Sequence, residues 1–323
     1  MKIIARIVLT ACCCLLGNAL AADVAFPTKP VRIIVPFAPG GPTDIVARTV
    51  GQQLTAAFGQ PVVIDNRPGA GGVVGADLVA KSAADGYTLL LCSTGAMAIN
   101  PGLLAKMPYE PLRDFAPVTL VVTIPYLLLV NPNFSAQTVK DVVALARAKP
   151  GQLNYGSAGT GTTSHLAMEL FRSMANIQVS HVPYKGSALA ATDLVGGQLQ
   201  LLFDAPPSSL PFVRSGRVRA IGISTLRRSP LLPDMPTISE AGVPGYEVLT
   251  WSGICAPAAT PHSVLAKLNS AIVKGVTSQE SRDRFAGLGA DVVANSSAQY
   301  RQFIVDELAK WSLVIKDAGV AAH

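Results

Sequence analysis

The residues of this chain best suited to chemistry are backbone N–H groups and hydroxyls, rather than acids, bases or metal ligands. Pro36-Phe-Ala-Pro-Gly-Gly-Pro-Thr-Asp44 follows an apolar run at 31–36 and precedes Ile45, Val46, Val50, Leu54 and Phe58 at helical spacing. A strand therefore runs into a glycine turn that opens a helix. Glycine lacks a Cβ, so a ligand can come close to the backbone. A helix start presents unpaired N–H groups and a partial positive charge, and the combination makes a small anion site. Phe37 and the N–H groups around Ala38, Gly41 and Thr43 are the candidate contacts. Asp44 belongs to the same cluster, but a carboxylate is an odd partner for an anion; it reads better as the brace of the helix start. The competing reading is a tight turn that needs glycine for geometry alone.

A second unit of the same kind is Ser157-Ala-Gly-Thr-Gly-Thr-Thr-Ser-His165. Ser157, Thr160, Thr162, Thr163 and Ser164 bring hydroxyls that can donate to a carboxylate, with Gly159 between them. Gly159-Thr-Gly161 is half of a dinucleotide loop, but Ser164 replaces the third glycine and no acidic residue ends the following strand, which argues against nucleotide binding. Ser93 and Thr94 follow another strand and belong beside the first loop, with Asn100 beginning the next helix. Lys185 follows the strand at 179–184 and is either a charged partner for an anion or a solvated loop lysine. Asp204 ends the strand at 199–204, where α/β proteins hold ligands; it accepts from the ligand or merely caps the next helix. Asn66-Arg-Pro-Gly-Ala-Gly-Gly72 is a further glycine-rich helix start, read as structural, with Arg67 pairing inside its own lobe.

Catalysis has little support. The four histidines (His165, His181, His262, His323) show no metal-binding spacing, and the cysteines form no CxxC, so no metal or cofactor is expected. Ser164, His165 and Asp204 could be imagined as a triad. Adjacent Ser and His on one helical turn point in different directions, however, and no G-x-S-x-G elbow is present.

The elements that must position these residues alternate between strand and helix signals, which predicts parallel sheets covered by helices. The chain has 323 residues, 50% of them hydrophobic and 14% charged, enough for one large or two medium domains. Two extended segments, 118–130 and 246–256, bracket the middle series and are expected to cross between lobes. That divides the chain into a signal peptide at 1–21, a first lobe from 22–125 and 250–323, and a second from 126–249. Lys2 and Arg6, the apolar run at 7–17 and Ala19-Leu-Ala21 have the form of a secretion signal. Leu9-Thr-Ala-Cys12 offers a competing lipoprotein cleavage with Cys12 lipidated. Loss of Lys2 and Arg6 takes the formal charge from +6 to +4. No basic run is interleaved with aromatics, so nucleic acid is not an expected partner. Cys92 and Cys255 remain after cleavage. An exported chain permits a disulfide between them, but buried free thiols are the expectation, because sequence does not show close Cα atoms.

The motifs together are similar to a known family. Pro36-Phe-Ala-Pro-Gly-Gly-Pro-Thr-Asp44, Asn66-Arg-Pro-Gly-Ala-Gly-Gly72, Asp85-Gly-Tyr-Thr-Leu89, Asn154-Tyr-Gly-Ser-Ala-Gly-Thr-Gly161, Val182-Pro-Tyr-Lys-Gly186 and Ala256-Pro-Ala-Ala-Thr-Pro261 occur in the order seen in the Bug (TctC-like) extracytoplasmic solute receptors of tripartite tricarboxylate transporters. The chain resembles that family over nearly its whole mature length. The resemblance implies a type 2 periplasmic-binding-protein fold with two lobes joined by a two-segment hinge. It also implies capture of a small organic acid without catalysis, delivery to a membrane permease, and a monomeric receptor. By matching position, Phe37, Ala38, Gly41, Thr43, Ser93 and Thr94 would serve from the first lobe. Ser157, Gly159, Thr160, Thr162 and Ser164 would serve from the second, with Lys185 and Asp204 selecting the far end of the ligand.

Overall fold

The computed structural model describes residues 26–184, 186–230 and 232–320. The expectations for the signal peptide, Cys12 and Lys185 lie outside these residues. The chain begins with β1 (Val31–Val35), α1 (Pro42–Phe58), β2 (Val62–Asn66), α2 (Val73–Ala80) and β3 (Thr88–Ser93). A wide helical turn at Gly95–Ile99 leads into α3 (Asn100–Leu103), followed by α4 (Pro111–Asp114), β4 (Phe115–Pro125) and β5 (Leu127–Val130). Next come α5 (Val139–Ala148), β6 (Asn154–Ser157), α6 (Thr163–Ala175), β7 (Ser180–Pro183), α7 (Ser187–Val195), β8 (Leu201–Asp204), α8 (Pro206–Arg214) and β9 (Arg219–Ile223). A long connection reaches β10 (Leu249–Pro257), and α9 (His262–Val276), α10 (Gln279–Ala286), β11 (Asp291–Val292) and α11 (Ser297–Ala318) complete the chain.

Two sheets result, ordered β11-β4-β10-β3-β1-β2 and β7-β6-β8-β5-β9. Each belongs to one lobe. In β1, Val31, Ile33 and Val35 pack with Val46, Val50 and Leu54 of α1 and Leu268 and Ile272 of α9, while Ile34 packs with Leu90 and Val79 on the opposite face. A strand buried on both sides reads as a continuous apolar run, as 31–36 does.

The sheets are mixed rather than purely parallel. β1, β2 and β3 are parallel, but β10 runs antiparallel to both β3 and β4, and β5 antiparallel to both β8 and β9. The reason is the crossing. One strand carries the chain out of the first sheet and the other brings it back, so the two pair head to tail. The apolar run at 118–130 is two strands, β4 and β5, separated by Tyr126 alone. Pro125 lacks the N–H that a continuing ladder would require. Ser224 ties the crossing together. Its N–H donates to Tyr126 O (2.9 Å), its Oγ accepts from Tyr126 N–H (2.8 Å) and donates to Val248 O, and Val248 N–H donates to Ser224 O (3.0 Å).

Cys92 and Cys255 form a disulfide, which corrects the expectation of free thiols. Cys92 lies opposite Gly253, and Cys255 opposite Leu90, so the two cysteines are diagonal neighbours on one face of β3 and β10 with Cα atoms 6.3 Å apart. Strand adjacency supplies the proximity that sequence alone could not show. The bridge stays within the first lobe. Mature protein unfolded without reductant should therefore titrate no thiol. Replacing both cysteines with alanine should lower stability by about 2–5 kcal/mol in urea unfolding; a reactive thiol pair in the untreated protein would contradict the bridge.

Candidate functional site: the cleft between the lobes

The first-lobe loop is braced from below. Gly40 has φ +87°, a conformation that favours glycine, whereas Gly41 at the start of α1 has φ −80°. Asp44 is buried, and its Oδ2 accepts from Gly40 N–H (3.0 Å) and Arg48 Nε (2.7 Å). Asn66 Nδ2 donates to Asp44 Oδ1 and to Phe37 O, both at 3.0 Å. Burial works to raise the Asp44 pKa, but the hydrogen bonds from Arg48, Gly40 and Asn66 outweigh it and hold the carboxyl below its usual range. The carboxylate is spent on the loop, and Thr43 in the first turn is left facing the cleft.

The second-lobe loop is held by its own side chains. Ser157 Oγ accepts from Gly159 N–H (3.1 Å), Ser164 Oγ from Ala158 N–H (2.9 Å), and His165 Nδ1 from Gly161 N–H (3.1 Å). Thr162 caps α6, its Oγ1 donating to Gly159 O (2.6 Å). Gly159 and Gly161 have φ of +137° and +77°. Thr160 stands between these two clamped glycines and points into the cleft.

Between the loops lies a cavity of about 500 Å³. Of the residues singled out from sequence, Phe37, Thr43, Ser93, Asn100, Thr160, Thr162 and Thr163 line it. Ala38, Gly41, Asp44, Thr94, Ser157, Gly159, Ser164 and Asp204 are not among the lining residues. Thr94 instead steadies the crossing strand, its Oγ1 accepting from Trp251 N–H at 2.8 Å. Asp204 accepts from Ala205 N–H (2.9 Å) and Ser208 Oγ (2.7 Å) at the start of α8. Burial raises its pKa, against the pull of Ser208, the Ala205 N–H and Ser187. Ser164, His165 and Asp204 are thus engaged separately and make no triad.

The remaining lining comes largely from the crossing strands. Ile124, Tyr126, Thr250, Trp251 and Ser252 form one wall. A strand that passes between two lobes must pass the cleft, so the extended segments at 118–130 and 246–256 already carried this signal. Gly71 also lines the cavity, so the glycine turn at 66–72, read from sequence as structural, reaches the cleft; Leu103 left no such mark. Asn100 lines it too, its Nδ2 donating to Gly71 O at 3.0 Å. Trp251 is fixed by its indole N–H, which donates to buried Glu307 at 2.8 Å; Trp311 donates to the same oxygen at 2.9 Å, and Lys310 pairs with that carboxylate. The Tyr126 hydroxyl is kept neutral by burial and by the nearby Asp204 charge. Every lining side chain among the described residues is uncharged. An anion here would be held by hydroxyls, an amide and helix starts.

The rims meet. A Cβ built on Gly161 of the second lobe would lie 2.8 Å from Leu103 Cδ1 of the first, and one on Gly289 would lie 2.7 Å from Pro206 Cβ. The lobes touch at these two points.

The family model for the tripartite tricarboxylate transporter family receptor, TctC, matches residues 46–320. The chain belongs to that family. It is 38% identical over 301 residues to Protein BugT of Bordetella pertussis, covering 93% of this chain and 92% of BugT. Among solved structures it is similar to Rpa4515 of R. palustris with adipate, at 38% identity and TM-score 0.78, covering 92% and 99% of the two chains. It is also similar to MatC (Rpa3494) of Rhodopseudomonas palustris with bound malate, at 35% identity and TM-score 0.74, covering 90% and 100%. The family consists of solute-binding receptors, not enzymes, and its two-lobed periplasmic-binding-protein fold is the one described above.

Two outcomes are expected. Asp44→Ala strands the Gly40 N–H and the Asn66 amide and should cost about 1–3 kcal/mol, read as a lower urea midpoint. The exposed Arg48 adds little to that figure. Because the folded pKa of Asp44 is lowered, its contribution is complete above the ordinary carboxylate value and is lost as pH falls through the folded one. Gly161→Val should fold, at a backbone cost of about 1–2 kcal/mol, yet prop the rim open against Leu103. Small-angle scattering should show a larger radius of gyration than wild type.

Proposed function

We propose that this receptor captures a small organic acid in the interlobe cavity and delivers it to the permease subunits of a tripartite tricarboxylate-type transporter. The observation that carries the reading is the convergence of two glycine-turn helix starts, α1 and α6, on one cavity whose lining is uncharged among the described residues. Thr43, Ser93, Thr160 and Thr163 would receive the carboxylate, and the wall of Ile124, Tyr126 and Trp251 would pack against its carbon body. Related receptors hold adipate and malate, so acids of that size are the first candidates. Lys185 remains a candidate for the far end of the ligand.

Closure is driven by differential contact, because only the closed form gives both helix starts a partner. Micromolar affinity corresponds to about −8 kcal/mol, and one helix terminus contributes at most ~2 kcal/mol. Hydroxyl hydrogen bonds and apolar packing on Trp251 must supply the rest. We further propose that residues 1–21 are removed on export, that the lobes comprise 22–125 with 250–323 and 126–249, and that the receptor works as a monomer in the periplasm.

A thermal-shift screen of organic acids tests the reading. A ligand at a hundred times its dissociation constant should stabilise by about 2.7 kcal/mol, and its binding should alter the emission of Trp251. The same ligand should bind at least about tenfold more weakly to Gly161→Val, since that variant resists closure. A screen in which adipate, malate and a broad acid panel leave the melting curve unmoved would sink the proposal.

A further inference from the structure

Beneath the second-lobe loop lies a stack of three rings that the binding site does not itself touch. The ring of His181 lies 4.8 Å from that of Tyr155 and 4.1 Å from that of His165, each pair within 18° of parallel. His165 is buried on α6, and His181 is half-buried on β7. Each imidazole holds one clamp of the loop. His165 Nδ1 accepts the Gly161 N–H at 3.1 Å, so the ring proton sits on Nε2. His181 Nε2 is 2.7 Å from Ser157 Oγ, the oxygen that accepts the Gly159 N–H.

We infer that His165 and His181 are positioning residues for ligand capture, a neutral imidazole pair that clamps the two glycine amides on either side of Thr160 and so presents that residue to the cleft. This rests on the receptor reading given above. A proton on His165 Nδ1 would face the Gly161 N–H donor to donor and release the clamp. The surroundings favour the neutral form. The charged and titratable groups facing the pair are Tyr155 from β6 and Glu169 and Arg172 from α6. Glu169 is already committed, accepting from Tyr155 Oη at 2.6 Å and from Arg172 Nε at 2.9 Å. Two stacked rings this close also resist a second charge. Burial is the main cause that lowers both pKa values, and for His181 the neighbouring His165 adds to it, bringing it to about 4.

The sign follows from linkage. At these two histidines the fold binds fewer protons than the unfolded chain between about 4 and the ordinary histidine value of 6.5, so their contribution to stability falls as pH is lowered across that window. Loop order at Gly159–Gly161 should fall with it.

The test uses full-length mature protein without ligand, so failure of any acid to bind would count against the receptor reading and not against this one. Nitrogen-15 imidazole spectra at neutral pH should show His165 protonated on Nε2 alone; the opposite tautomer or a cationic ring would overturn the inference. Amide exchange at Gly161 should accelerate about tenfold in His165→Leu, the loss expected for one hydrogen bond, with α6 beyond its first turn unchanged. His165→Asn, whose Oδ1 can take the place of Nδ1, should restore slow exchange. Unchanged exchange in His165→Leu, acceleration across the whole of α6, or no rescue by Asn would each overturn the assignment.

Discussion

A helix start can hold an anion only if its loop does not collapse onto its own donors. That constraint organises both halves of the cleft. In each lobe, side chains behind the loop satisfy its inward amides. Asp44 and Asn66 do this for the first loop, and Ser157, Ser164 and His165 for the second. The polar residues around the site are therefore divided between holding the loops and facing the guest, and most of them hold.

That division explains what the sequence made legible. The two glycine turns, their helices and the strands before them follow from local pattern, since apolar periodicity and glycine at a left-handed turn are short-range properties. So do Phe37, Thr43, Ser93, Thr160 and Thr162, which stand at the tips of those elements and line the cavity. Sequence could not separate a hydroxyl aimed at the cleft from one turned back into its loop. Ser157, Thr162 and Ser164 differ from Thr160 only in direction, and direction depends on partners such as His181, Gly159 O and Ala158 that the turn geometry places. The disulfide and the antiparallel crossing strands escaped for a related reason, because both depend on which strands lie side by side.

The uncharged lining has its own logic. A buried cation would pay a desolvation penalty whenever the lobes parted and closed, and would hold any anion by charge alone. Hydroxyls and helix starts are less costly to expose, and they discriminate by geometry. The apolar wall of Ile124, Tyr126 and Trp251 then reads the carbon frame, with Trp251 fixed through Glu307 to α11.

The bond between Cys92 and Cys255 settles which half of the molecule owns the crossing strand. Stapled to β3, β10 is tied to the first sheet by a covalent bond as well as by its ladder. In the receptor proposed above, a pivot would then fall at the stretch after Pro125 around Tyr126 and at the residues just ahead of Leu249, where Ser224 joins the two passages. A receptor built this way would open about a narrow axle beside its guest, with the wall that carries Trp251 kept on the side that bears the staple.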